Sequence, residues 1–255
     1  MRDVLLGSCR DQELLASFDE VRGRARLVIE AEWPQLEAWE LELRNPPAWA
    51  TNTTSEMERL FDWGAGDERE VGVFLLPSPP KRMAGNGDMF VPSGATSFAC
   101  SGASLDRPAP WLTLLHEVAH LTYEPERLSP LIQGAVAQNP ERPIWRDFDE
   151  TPPGQHMSLA GFLGEVVIHC LVPHGLLAPD KGRKAQAKLW RNLRPVNATH
   201  STSSWGQWYD AWVTRGSCDL LPALEAHFDS GGTVDSQALE LAIAVLERMV
   251  AQWQP

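Results

Sequence analysis

The sequence predicts an α+β chain that is predominantly helical, and three observations carry that expectation. Apolar residues recur at helical spacing through residues 10–45 and again from about 110 to 253. Between 70 and 100 the pattern changes to short apolar runs punctuated by Pro and Gly, as strands require. The 255 residues are 43% hydrophobic and 22% charged, enough apolar material for a packed core.

The opening part, 1–63, reads as helical. Leu14, Leu15, Phe18 and Val21 share one helical spacing, as do Leu27, Val28 and Ile29, with Pro34 expected to divide the stretch and Asn45-Pro46-Pro47 to end it. A short helix over 55–63 follows, with Ser55 as its N-cap and Glu58 completing a capping box. Residues 70–100 form a small sheet in this reading. Its first strand is Val71–Leu76, bounded by Pro77, and two shorter ones cover 88–91 and 96–100. From 108 to 255 the pattern is helical over 110–123, 127–138, 156–172, 181–193, 204–228 and 235–253, with loops at 140–154 and 195–204. No stretch is long enough for a domain linker, so one domain over 1–255 is expected.

Charge and cysteine usage narrow the functional classes. Acidic side chains number 34 and basic ones 22, a net charge of −12, which opposes binding to nucleic acid or an anionic membrane. The four cysteines are scattered without a CxxC pair, so neither a zinc ribbon nor a dense disulfide framework is expected, and reduced thiols are favoured. No run of about 18 apolar residues exists, and Val4–Cys9 lacks the apolar stretch of a secretion signal, so a cytoplasmic location is expected. Lys181, Arg183, Lys184, Lys188, Arg191 and Arg194 make one basic helical face, which reads as solvated surface.

The chemistry concentrates in His116-Glu117-Val118-Ala119-His120. Histidines at i and i+4 share one helical face and can reach one metal ion, while Glu117 between them is placed to take a proton from metal-bound water. With 7 histidines in the chain, an accidental match to this pattern is expected only about 0.015 times. Leu112, Leu114, Leu115, Val118, Ala119 and Leu121 make the flanks apolar, and histidines buried there need a partner that a metal supplies.

A third ligand would come from a second helix. Glu165 is the lone carboxylate of the apolar run Leu159–His169, and small Gly161 and Gly164 would let that helix approach the motif. Glu124, Asp147 and His156 are weaker competitors. His169, one turn after Glu165, reads equally as a supporting partner, an alternative ligand or a core histidine.

In residues 110–123, and more weakly 156–172, the chain resembles the gluzincin branch of HExxH zinc metallopeptidases. The metzincin pattern is excluded by Tyr123 and Glu126 at the positions where it needs Gly and His. The resemblance implies a zincin-like domain whose small sheet lies beside the motif helix, with an edge strand from 88–100 holding an extended peptide or protein substrate. It implies Zn²⁺ held by His116, His120 and Glu165, with Glu117 as general base. The family motif supplies no oxyanion-stabilising group here. Tyr123 and Tyr209 are the only tyrosines, and Tyr209 and His200 lie in the Trp-rich stretch 199–212, from which a side chain could return to the cleft.

Two alternatives stay open at this level. Trp145-Arg146-Asp147 loosely resembles an element of the HExxH-type 2-oxoglutarate-dependent peptide β-hydroxylases, which implies Fe²⁺ with 2-oxoglutarate paired to Arg146. A non-catalytic, metal-stabilised binding module is the other.

Overall fold

The computed structural model describes residues 20, 23–24, 26–27, 30, 33–34, 37–63, 72–78, 87–90, 95–101, 111–172, 175–178, 195–199 and 208–253. These residues are predominantly helical. The predicted basic helix over 181–193 lies outside them, as do His200, Cys9 and most of 1–36.

Helical backbone runs over 37–44 and ends at Asn45, as the Asn-Pro-Pro sequence dictates. Trp33 and Pro34 are themselves helical. Helix α1, Ala48–Leu60, begins seven residues earlier than predicted. Pro47 takes the N-cap position without any side-chain cap, and Ser55 lies inside the helix rather than capping it. A proline at this boundary gives up an N–H that would have no helical partner, so the Pro-Pro pair starts α1 as effectively as it ends the preceding helix.

The backbone over 72–101 pairs as three strands, β1 (Gly72–Ser78), β2 (Gly87–Phe90) and β3 (Ala95–Ser101), in the order β1-β3-β2. β1 runs parallel to β3 with Gly72 opposite Ala95, and β2 runs antiparallel with Gly87 opposite Phe98. Pro77 does not bound β1 but lies within it, opposite Cys100. β1 is an edge of this sheet, where a missing N–H costs no ladder bond if it faces outward.

The longest part of the chain then builds a helical core. Helix α2, Trp111–Leu121, lies against β2 and β3. After it the chain makes a wide turn over Glu124–Leu128 and continues into α3, Ser129–Gln138. Pro125 has no N–H for the carbonyl one turn earlier, and a widened turn accommodates its ring without ending the helix. The predicted loop 140–154 contains a short helix, α4 (Ile144–Asp147), and a tighter turn at Phe148–Glu150.

Helix α5, Leu159–Leu171, crosses the centre. Ser158 caps it, its hydroxyl accepting from the Gly161 N–H. Phe162, Leu163, Val166, Val167, Ile168, Cys170 and Leu171 are all buried, each large one stabilising the fold by about 1.5–3 kcal/mol. Glu165 is the one acid in this helix. Helix α6 (Arg215–Asp229) follows a second wide turn at Asp210–Thr214, and α7 (Ser236–Gln252) is capped by Asp235. Both pack on α5, and α7 also reaches α3 and α4. Cys170 and Cys218 are free thiols. No helix among the described residues is long and apolar enough to cross a membrane.

Buried polar groups in this core are paired. Trp212, fully buried, donates its indole N–H to the Thr199 hydroxyl at 2.9 Å, and Thr199 donates to the Val196 carbonyl at 2.6 Å. Replacing Thr199 by Val keeps the volume and orphans the indole N–H. The expected cost is about 1–3 kcal/mol, measured as a lower midpoint of thermal unfolding; an unchanged midpoint would show that the indole finds another acceptor.

Candidate metal centre

Helices α2 and α5 cross where the sequence motif lies, and three ligand atoms converge there. His116 Nε2 stands 3.2 Å from His120 Nε2 and 3.5 Å from Glu165 Oε2, while His120 Nε2 is 3.5 Å from Glu165 Oε1. Ligand atoms held about 2.0–2.2 Å from a tetrahedral ion stand about 3.3–3.5 Å from one another. The two imidazole nitrogens stand close to that edge length from each other, and each stands at it from one of the two Glu165 oxygens. Both histidines are buried, and the Glu165 side chain is 22% exposed, so one side of the cluster opens outward.

The far side of each imidazole decides what the near side offers. His116 Nδ1 faces the carbonyl of Val172 at 3.1 Å, and a carbonyl only accepts, so Nδ1 carries the proton. His120 Nδ1 likewise donates to the carboxylate of Glu124. Each neutral ring then presents a bare lone pair at Nε2, and these two lone pairs meet the Glu165 carboxylate. Three acceptors facing one another require a cation between them. Two imidazoles and one carboxylate are a donor set that could hold a divalent metal ion.

The same convergence shifts protonation where no metal is bound. Burial works to lower the His120 pKa, but Glu124 and Glu165 overcome it and push the value up to about 10. Burial opposes ionisation of Glu165 too, yet His116 and His120 hold its carboxyl well below the usual carboxylate range. A proton on His120 then stands in for the cation.

Of the residues singled out in the sequence, Glu117 is half-buried on α2 between the two ligands. Tyr209, one residue before the second wide turn, donates its hydroxyl to Glu165 Oε2 at 3.0 Å. His169 is buried one turn beyond Glu165, its ring edge-on to His116 at 5.8 Å and to Tyr209 at 6.1 Å. It therefore packs around the cluster rather than joining the three ligands. His200 lies outside the described residues.

Four other candidates are placed elsewhere. Tyr123 stacks on Phe61 at 4.8 Å and meets Trp63 edge-on at 5.0 Å; its phenol is pushed up to about 12 by burial and by Glu58. His156 is exposed and stacks on Trp208. Asp147 pairs with Arg146, whose side chain is 83% exposed. Such a guanidinium has no desolvated pocket in which to bind a dicarboxylate. Glu124 is no third ligand but holds the far nitrogen of His120, a role its sequence position does not advertise. Gly161 faces its own N-cap, Ser158, and not the motif helix.

Comparison with models of known protein families, with characterised proteins and with solved structures finds no match to this chain.

The raised His120 pKa has a consequence for stability. An unfolded histidine titrates near 6.5, so the folded state binds this proton more tightly and is stabilised in full below that pH. The contribution fades as pH rises toward about 10. Thermal unfolding of chelator-treated protein should show a midpoint that falls between pH 7 and 10. Glu165→Gln should flatten that slope, and a bound metal should abolish it by taking the proton's place.

Proposed function

We propose that this chain is a zinc-dependent hydrolase acting on peptide bonds, built in a zincin-like manner. The observation that carries the reading is the meeting of His116 Nε2 and His120 Nε2, 3.2 Å apart, with the Glu165 carboxylate, which sets a different oxygen 3.5 Å from each ring, while both outer nitrogens are already committed as donors. A cluster needed only for packing would not aim three acceptors at one point.

Zinc held by these three residues would supply Lewis acidity, polarising a substrate carbonyl and lowering the pKa of water. The remaining work belongs to the chain. Glu117, adjacent to His116 on α2, takes the proton from the attacking water on its carboxylate and returns it to the departing amine. Tyr209, whose hydroxyl donates to Glu165 Oε2 at 3.0 Å, lies beside the cluster and would turn that donor to the developing oxyanion. Edge strand β2, beside α2, offers backbone N–H and C=O groups on its outer side to an extended substrate, which favours a peptide over a compact small molecule.

His116, His120 and Glu165 would also suit Fe(II). An oxygenase of that kind needs a buried cation for its 2-oxoglutarate, and the exposed, paired Arg146 does not provide one.

Metal analysis of protein purified without added metal should find about one equivalent of zinc. Glu117→Gln should keep the metal and lose peptide cleavage by roughly a hundredfold or more, whereas Glu165→Ala should lose the metal itself. Tyr209→Phe should lower kcat by about 10²-fold with metal content unchanged. Iron in the purified protein, with succinate formed from 2-oxoglutarate, would overturn the hydrolase reading.

A further inference from the structure

Resting on the metal reading above, we propose that Glu124 is a positioning residue for the ligand His120 and that Gly164 is the seat built for it. Glu124 stands four residues after His120, on the first residue of the wide turn at Glu124–Leu128, and its side chain is only 15% exposed. Its carboxylate bonds His120 Nδ1 and lies directly over the bare backbone of Gly164 on α5.

The fit between the two is steric. A Cβ on Gly164 would overlap Glu124 Oε1 and come within 2.7 Å of Glu124 Cδ. No methyl group fits there while Glu124 holds His120. Glycine inside a helix is otherwise unfavourable relative to alanine, so a glycine buried in mid-α5 needs a reason, and the carboxylate supplies one.

The two partners also explain why neither alone would do. His120 is oriented by a carboxylate, which raises the basicity of its Nε2, and that carboxylate is fixed by the helix that carries ligand Glu165. Residues 164 and 165 thus act in sequence, one leaving space for the orienting group and the next supplying the third ligand. Glu124, four residues after His120, lies on the same helical face, which brings its carboxylate to the far side of that ring.

The test measures Co²⁺ and Zn²⁺ affinity by competition with a chromogenic chelator, alongside the visible spectrum of the cobalt form. Glu124→Ala should weaken both metals by about 10–100-fold and alter the cobalt bands. Glu124→Gln keeps an acceptor oxygen and should recover much of that loss. Gly164→Ala should weaken binding by a similar factor, because the added methyl expels the carboxylate.

The double variant Glu124→Ala/Gly164→Ala separates this from a general packing defect. With the carboxylate gone the methyl has nothing to displace, so the double variant should bind metal no more weakly than Glu124→Ala alone. It should also unfold at no lower temperature when metal-free. Multiplying losses in the double variant would overturn the seat, and wild-type affinity in Glu124→Ala would overturn the positioning role. Failure of the unaltered chain to bind either metal would instead overturn the metal reading itself, and this proposal with it.

Discussion

Everything at the centre of this molecule depends on one electrostatic constraint: two neutral imidazoles and a carboxylate direct lone pairs at a single point. In a low-dielectric interior such an arrangement is costly unless a positive charge lies between the acceptors. The chain commits to it by fixing the opposite edge of each ring. The Val172 carbonyl fixes His116 and the Glu124 carboxylate fixes His120, so neither ring can relieve the repulsion by changing tautomer. The surrounding helices supply the rigidity that holds the three groups in place.

That rigidity comes from α5. It is buried along most of its length and packed by α2, α6 and α7, so its position is set by apolar contacts on several sides. From this one helix come the Glu165 carboxylate, the space at Gly164, the ring of His169 and, at its C-terminal end, the Val172 carbonyl. The motif helix contributes His116, Glu117 and His120. The recognisable pattern lies on α2, while most of the alignment comes from α5.

The three residues that converge are readable in the sequence because their signals are local. Two histidines four apart on a helix with an acid between them need no knowledge of the fold, and a single acid in an apolar helix stands out against its neighbours. Glu124 reads in the sequence only as a competing third ligand, because its contact with the bare backbone of Gly164, forty residues away, belongs to the tertiary packing. Tyr209 and Tyr123 looked alike in composition. Only tertiary packing sends one to Glu165 and the other into the aromatic cluster with Phe61 and Trp63. The helix boundaries failed where two competing start signals occurred: Pro47 outranked Ser55, since a fixed φ at the first turn matters more than a cap further along.

The carbonyl of Val172 has a further meaning. It belongs to the residue that closes α5, while Glu165 lies two turns earlier on the same rod, and both engage His116, one on each nitrogen. The imidazole is therefore gripped like a pin between two marks on one ruler. Sliding α5 along its axis by a single turn, about 5.4 Å, would release both marks together, so the setting of His116 and the axial setting of α5 are one mechanical variable. Helices α6 and α7, packed on α5, therefore bear on that setting, although they lie furthest from the recognisable motif in sequence.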